Sequence, residues 1–486
     1  MSAPSRFDPV VHAASQVVGG PWGRYAARPR APKVVLAALL VLAGVFLAAG
    51  YVEKSPCADG AWVGSKQYTH FCYSDVIPLW GAERLDVGAV PYRDTAVEYP
   101  VLTGGFMWVS AQLTQVASHA VSSVSELQVF GIITCVGLAF CGLLMVAGTA
   151  GAAGRRPWDA AIAAASPLLI FHAFSNWDLL AMAFAMCALW AWARERPVLA
   201  GVLIGLGTAA KLYPALLLVA IGILAWRTGR WRQALWAAGA AIAAWLVTNV
   251  PIAVAWTPGW SEFYTFSTDR TAEASTFWYM GNHLATVGFG DGVAPAYVPP
   301  GWGVALLFLV ALAGVGYASL AAPYRPRLAQ VAFLVVAAFL LTTKVWSPQY
   351  SLWLVPLVAL ARPRWRLALV WQFAEIAVWM ATLLWLLGFG TPDRGLSYGW
   401  LMVILLVRDV LLLAIVAGVI RDMWRPDRDV VRGAPSQEGE PRLDDPGGGT
   451  FDAAPDRRRL PQWRELFPPA PAPDPEDDEP VVVVER

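Results

Sequence analysis

Ionisable and aromatic side chains gather in short polar stretches between the long apolar runs of this 486-residue chain. The stretch "VPYRDTAVEYP" (90–100) contains Arg93, Asp94, Glu98 and two tyrosines, and the preceding stretch "YSD" contains Asp75. Carboxylates suit hydroxyl groups, cations suit phosphate oxygens, and aromatic rings suit the C–H faces of sugars. These residue types together indicate a site for a charged, sugar-like or phosphorylated ligand.

Further polar side chains lie at the ends of later apolar runs. They are His172, Asn176 and Asp178 in "FHAFSNWD", Lys211 in "KLYP", Glu262, Asp269, Arg270, Asn282 and His283 within 257–301, and Lys344, Trp346 and Gln349 in "KVWSPQY". Each has a structural alternative, because lysines snorkel to interfaces, Asn and Asp cap helices, and a lone histidine fits a helix end. Five such stretches at one membrane face would form a shared site.

The composition indicates that lipid surrounds most of the chain. Hydrophobic residues make up 57% and charged residues only 15%, which would leave a soluble protein with large exposed apolar patches. The 25 tryptophans and 14 tyrosines suit belts at the two membrane surfaces. The net charge of +1 does not indicate a nucleic-acid partner. The first apolar run, 34–52, is long enough to span a bilayer, so we expect no cleaved signal peptide.

Hydropathy predicts about twelve transmembrane helices. They lie at 33–52, 128–149, 158–174, 178–193, 198–211, 213–226, 233–256, 302–321, 328–343, 350–361, 367–388 and 399–420. Arginines mark alternate loops as cytoplasmic, which places both termini inside and the other loops outside. The outer loops are 53–127, 172–177, 257–301, 344–349 and 389–398. This alternation requires a surface helix within 100–127, and the pair at 198–226 could be a broken or re-entrant hairpin.

Three segments follow from this topology: a cytoplasmic N-terminal segment (1–32), a transmembrane domain (33–420) and a C-terminal tail (421–486). The tail is rich in proline and acid, which predicts a disordered cytoplasmic segment. Cys57 and Cys72 share the first outer loop and are either a disulfide or two free thiols.

Two charged positions interrupt the last predicted helices. Glu375 and Arg408 each lie in the middle of an apolar run. Intramembrane charges face the bundle interior and pair, so a Glu375–Arg408 bridge is the structural interpretation, and a proton or substrate pathway is its rival.

Four blocks of the sequence resemble those of glycosyltransferase family 87. The blocks are "SDVIPLWGAERLDVGAVPYRDTAVEYPVL", "FSNWDLLAMAFA", "GVLIGLGTAAKLYPALLL" and "KVWSPQYSLWLVPL". The resemblance spans most of residues 33–420, and the family's members are bacterial membrane mannosyltransferases of the GT-C class, common in actinobacteria. It implies an all-α, GT-C-like polytopic fold in the plasma membrane, with a large first extracytoplasmic loop that carries surface helices.

The resemblance also implies an inverting hexosyltransferase without a metal or other cofactor. The donor would be a polyprenyl-phosphate sugar, usually mannose, and the acceptor an extracytoplasmic glycolipid or glycan. Asp75 best matches the family's general base, and Asp94 is the second candidate. Positive charge must meet the leaving phosphate. The candidates are Lys211, Lys344, Arg270 and His283 for the donor phosphate, and Glu98, Tyr92, His172, Asn176, Asp178, Trp346 and Gln349 for the sugar or acceptor.

Two other classes of function fit parts of the sequence. Glu375, Arg408 and the interrupted pair at 198–226 would suit a polytopic transporter or lipid flippase. A noncatalytic scaffold could use the tail to recruit partners. Against a transporter, the polar residues cluster outside rather than at the middle of the membrane.

Overall fold

The computed structural model describes residues 32–119, 123–289, 292–432, 444–452 and 454–462. Across these ranges the chain is helical without a β-strand, which confirms the predicted all-α class. The α-helices are α1 Pro32–Lys54, α2 Lys66–Thr69, α3 Val76–Ala82, α4 Val101–Ser118, α5 Glu126–Ala152, α6 Ala161–Ala164, α7 Pro167–His172, α8 Asp178–Ala193 and α9 Pro197–Ala210. They continue with α10 Leu216–Thr228, α11 Trp231–Ala255, α12 Thr257–Asp269, α13 Phe277–Thr286, α14 Gly301–Leu320, α15 Leu328–Thr342, α16 Ser351–Ala361, α17 Trp365–Gly390 and α18 Tyr398–Trp424.

Six helices in the described part of the chain are long and apolar enough to cross a membrane: α1, α5, α11, α14, α17 and α18. Five shorter apolar helices accompany them, namely α8, α9, α10, α15 and α16. These lengths and compositions are those of a multi-pass membrane protein. The predicted surface helix in 100–127 corresponds to α4, which is not among the six.

The shorter helices form the centre of the bundle. α15 and α16 are apolar on every side and almost wholly buried, as expected for helices with no face toward solvent or lipid. α9 packs closely on α11 because Gly201 and Gly205 face the Ala237 and Ala241 carbonyls, where a Cβ would clash. Two small residues four positions apart are a common helix contact in membranes.

Two predicted spans are interrupted. The stretch 158–174 is not one helix, because Ser166 is extended and Pro167 begins a new segment, α7. A proline disfavours a helical conformation in the residue before it, which explains the break. The pair at 198–226 is also divided, since Lys211 takes an extended conformation between α9 and α10.

The intramembrane charges pair as the structural interpretation predicts. The Arg408 guanidinium lies 3.6 Å from the Glu375 carboxylate, and both side chains are buried. Arg408 also bonds Asp409, lies 3.7 Å above the Trp346 ring, and donates to the Ser275 carbonyl over 2.9 Å. The bridge therefore connects the last two long helices to the loops between α12 and α16.

The described residues after α18 fold back onto the bundle, which differs there from the expected disorder. The rest of the predicted tail (433–443, 453 and 463–486) and residues 1–31 of the predicted N-terminal segment lie outside the described residues. α18 itself continues to Trp424. We call the following described residues the C-terminal strap: 425–432, 444–452 and 454–462. Asp456 binds the buried Arg227 over 2.6 Å, and Asp429 binds the buried Arg327 over 2.7 Å. The strap thus supplies the carboxylates for arginines at the helix ends.

Candidate active site

Asp75 is positioned by a junction between the first loop and the "FHAFSNWD" stretch. Its backbone N–H donates to the Ser175 carbonyl over 2.8 Å, and the Ser74 hydroxyl donates to the Phe174 carbonyl over 2.6 Å. The Cys57–Cys72 disulfide closes the loop just before this point. Two stretches separated by about a hundred residues are thereby held in contact.

Both oxygens of the Asp75 carboxylate accept hydrogen bonds. The Asn176 amide donates to Oδ2 over 2.7 Å and the Tyr73 hydroxyl donates to Oδ1 over 2.8 Å. Burial raises the pKa of Asp75, and the two hydrogen bonds together with Lys211 oppose that rise. The residue is only half-buried, so the carboxylate remains reachable. A reachable carboxylate with a raised pKa has the properties of a general base.

Asn176 connects Asp75 to a second charged pair. Its amide nitrogen also reaches the Tyr99 hydroxyl over 2.8 Å, while its oxygen accepts from Lys211 over 3.3 Å. The Lys211 ammonium lies 2.9 Å from Asp178, whose other oxygen accepts from the Trp353 indole over 2.7 Å. Each oxygen of Asp178 therefore has a partner and the side chain is fully buried, whereas Lys211 retains one N–H.

Aromatic rings surround the Lys211 ammonium. It lies 4.8 Å from the centre of the Tyr350 ring and 5.9 Å from that of Tyr99. Trp353 stacks between Tyr350 and Tyr213, with ring centres 4.2 Å and 4.3 Å apart. Burial lowers the pKa of Lys211, but Asp178, Tyr350 and Asp75 outweigh this effect, so its pKa is raised. The ammonium is thus held in its charged form.

A second cation approaches from the loop after α12. Arg270 lies 3.4 Å from Glu273, which accepts from the Ser347 hydroxyl over 2.9 Å. Glu273, Tyr350 and Glu98 raise the pKa of Arg270 against the lowering effect of burial. Burial raises the pKa of Glu98, and Arg270 opposes it. Arg270 therefore lies close enough to Glu98 and Tyr350 to affect, and be affected by, their charge.

These contacts bring residues of the five polar stretches close together. Asp75, Asn176 and Lys211 are joined directly, and Arg270 and Tyr350 lie at the same end of the bundle. Gln349 is buried beside Tyr350.

Several predicted site residues have structural partners instead. Asp94 is exposed, binds Arg93 over 2.8 Å and caps the Val90 N–H, so it stabilises its own loop. The Tyr92 hydroxyl donates to the Pro100 carbonyl over 2.9 Å. Of the two tyrosines in "VPYRDTAVEYP", it is Tyr99 that reaches Asn176.

The two candidate histidines are enclosed by aromatic rings. His283 is fully buried 4.4 Å from Tyr398, and His172 lies edge-on 5.2 Å from Trp379. Trp346 is buried beneath the Arg408 guanidinium. These three side chains thus contact Tyr398, Trp379 and Arg408 rather than Asp75 or Lys211.

Lys344 lies in the expected loop but its side chain turns toward α12. Its ammonium donates to the Thr268 carbonyl over 2.6 Å, and its own carbonyl accepts from the Glu273 N–H over 2.9 Å. Lys344 thus fixes the loop that carries Arg270 and Glu273. Within the described ranges, no group of three or more His, Cys, Asp or Glu side chains could hold a metal ion.

Sequence reasoning did not select Tyr73, Tyr99, Tyr350, Trp353 or Glu273. All but Glu273 lie within or directly beside the quoted blocks, the tyrosines at one or two positions and Trp353 at four positions from a selected residue. The sequence therefore identified the right stretches. The spacing of residues within a stretch does not show which side chains face the site.

Comparison with known proteins adds a family match. Residues 99–348 match the family described as glycosyltransferase family 87, a range that includes Asn176, Asp178, Lys211 and Arg270. No curated protein matches the chain. Among solved structures, ArnT from Cupriavidus metallidurans bound to undecaprenyl phosphate is 16% identical, covering 80% of this chain and 78% of that one with a TM-score of 0.40.

Proposed function

Because this chain belongs to glycosyltransferase family 87, we propose that it transfers mannose from a polyprenyl-phosphate donor to a glycolipid or glycan acceptor. The reaction takes place on the extracytoplasmic side of the plasma membrane and inverts the anomeric carbon. The observation that carries the proposal is the half-buried Asp75 carboxylate, connected through Asn176 to the Lys211 ammonium.

Asp75 acts as the general base. The acceptor hydroxyl loses its proton to Asp75 as its oxygen attacks the anomeric carbon of the donor. Each carboxylate oxygen has two acceptor sites, so the bonds from Asn176 and Tyr73 leave one site on each oxygen for that proton. The other acidic candidates are less accessible, because Asp178 is fully buried against Lys211 and Trp353, while Glu273 binds Arg270 and Ser347 through one oxygen and its other oxygen is buried.

Lys211 and Arg270 stabilise the phosphate that leaves. The bond between the anomeric carbon and the phosphate oxygen breaks as the new glycosidic bond forms, and negative charge grows on that oxygen. Lys211 has one N–H not used by Asn176 or Asp178, and the Arg270 guanidinium has N–H groups beyond the one near Glu273. A phosphate is a weak base, so no partner acid is required.

Tyr99 and Tyr350 offer aromatic surfaces for the sugar. Both rings lie within 6 Å of the Lys211 ammonium, so a sugar on them would carry its phosphate next to that charge. A single displacement with one free carboxylate inverts the anomeric centre, since a retained configuration would need a second carboxylate as nucleophile.

The test is transfer by the purified full-length protein. Radiolabelled polyprenyl-phosphate-mannose and a bacterial lipid extract should yield a labelled glycolipid. Asp75→Asn should abolish transfer while expression and thermal stability stay normal, whereas Asp94→Asn, at the exposed runner-up, should retain it.

Near wild-type transfer by Asp75→Asn would remove Asp75 from the reaction. Scrambling of the labelled donor between leaflets without transfer would instead favour a flippase. Arg408 does not support that rival, since its guanidinium is already held by Glu375, Asp409 and the Ser275 carbonyl.

A further inference from the structure

A second cavity lies behind the Asp75 loop, away from Lys211 and Arg270. It has a volume of about 300 Å³ and is enclosed by α1, α5 and the loop closed by the Cys57–Cys72 disulfide. Its lining includes Lys54, Ser74, Ile77, Gln128, Gly131 and Ile132. Ser74 is the neighbour of the proposed base, so the cavity and the active site share one loop.

Lys54 brings a buried cation to this cavity. Its side chain is only 8% exposed, and its ammonium lies 3.0 Å from the Glu53 carboxylate and 4.8 Å from the centre of the Trp379 ring. Apart from this ion pair, the Lys54 ammonium has no hydrogen-bond partner in the described structure. An ammonium has three N–H donors and buried donors are normally satisfied, so the donors not directed at Glu53 call for a polar ligand with acceptor oxygens.

The remaining walls are apolar and belong to helices that can cross a membrane. α1 and α5 are both long enough to span, and Ile132 on α5 is 41% exposed at the cavity. A ligand that enters here passes an apolar surface before it meets Lys54. This combination suits a molecule with hydrocarbon chains and a compact anionic head.

We infer that this cavity binds the phosphate group of a membrane lipid, with the Lys54 ammonium at the head and Ile77 and Ile132 along the chains. The phosphate oxygens accept from the Lys54 ammonium, which keeps its ion pair with Glu53. The site is separate from the cations assigned to the donor phosphate, and it does not depend on the reaction proposed above.

Gly131 allows the cavity to be filled without disturbing the backbone. A Cβ at Gly131 would have only the Ile77 side chain nearby, at 3.8 Å, which is ordinary van der Waals contact. Gly131→Leu therefore places a side chain in the cavity and leaves Lys54 in place. Gly44→Leu on α1 is the matched control, because nothing lies within 4 Å of a Cβ there.

The experiment measures lipid binding to the purified full-length protein by native mass spectrometry. The probes are phosphatidylglycerol, a neutral diacylglycerol and soluble glycerol 3-phosphate. We expect phosphatidylglycerol to bind the wild type and Gly44→Leu with equal affinity. We expect it to bind Gly131→Leu and Lys54→Gln about ten- to a hundredfold more weakly, which is the size of the loss of one hydrogen bond to a charged group. Lys54→Arg should restore most of the binding.

Unchanged phosphatidylglycerol binding by Gly131→Leu would overturn the inference even if Lys54→Gln fails to fold. Equal binding of the neutral diacylglycerol would show an apolar groove without a phosphate site. If glycerol 3-phosphate binds as tightly as phosphatidylglycerol, the ligand is a soluble phosphate, and the inference of a lipid ligand is likewise overturned.

Discussion

The hydrogen bond from Asn176 to Asp75 leads to a prediction about pH dependence. Burial raises the pKa of Asp75, and Asn176 opposes the rise by donating to the charged carboxylate. Asn176→Ala removes this donor, so the pKa of Asp75 rises further. Because Asp75 must be deprotonated to accept a proton, activity is lost as pH falls through its pKa. The acid limb of the kcat/KM profile therefore moves to higher pH in the variant.

The size of the effect follows from the type of bond. A hydrogen bond to a charged group contributes about 1.5–3 kcal/mol, which is about a ten- to hundredfold change in the protonation equilibrium. Well below the acid limb, Asn176→Ala should therefore be about ten- to a hundredfold slower than the wild type. Above the limb a smaller deficit remains, because Asn176 also binds Tyr99 and Lys211.

The assay is the initial rate of labelled sugar transfer at subsaturating donor, measured from acid to neutral pH. Tyr73→Phe removes the other donor to Asp75 and should move the limb in the same direction. Asn282→Ala is the matched control, because that amide donates to the Pro295 carbonyl instead. If both Asn176→Ala and Tyr73→Phe lower the rate equally at every pH, Asp75 is not the titrating base and the reasoning is refuted.

Three further predictions concern stability, each measured by thermal unfolding of the detergent-purified protein. Lys211→Gln leaves the buried Asp178 without its cation and should lower the free energy of unfolding by about 3–5 kcal/mol. Lys66→Gln, in an exposed ion pair of the first loop, is the control and should leave the stability almost unchanged. Arg408→Met leaves the buried Glu375 unpaired and should lower the free energy of unfolding by a similar amount. An unfolding temperature equal to that of the wild type would show that the bridge is not formed. The 15-residue disulfide loop contributes about 3 kcal/mol, so a reductant should lower the unfolding temperature of the wild type but not of Cys57→Ser.

Much of the fold follows from local sequence patterns. Helix positions depend on runs of apolar residues, and the break at Lys211 depends on polar residues and a nearby proline, so both were predictable. The Glu375–Arg408 bridge was predictable because buried opposite charges in neighbouring helices must pair. The break before Pro167 was missed because hydropathy alone was weighed there.

The site was predictable as a set of stretches but not residue by residue. Tyr92 and Tyr99 lie seven positions apart in one polar loop, and only the docking of that loop on "FHAFSNWD" turns Tyr99 toward Asn176. The sequence favoured Lys344 over Arg270 as a phosphate ligand, but the Lys344 ammonium donates to the Thr268 carbonyl instead. Such choices depend on contacts between distant parts of the chain.

The structure of the C-terminal strap could not be predicted from its composition. Its prolines and acids indicated disorder, yet the acids at positions 429 and 456 are partners of arginines that the bundle buries. An acidic segment can become ordered by pairing with buried cations, and the folded helices determine whether such cations are present.

The C-terminal strap has a consequence for how the chain matures. Arg227, at the end of α10, is fully buried, and the carboxylate that binds it, Asp456, comes 229 residues later. The ribosome therefore finishes every long helix before it makes this partner. The rim of the bundle at Arg227 can close only after residue 456 has been made, so a stop codon between Trp424 and Asp456 would leave the helices intact and one of their ends unfinished.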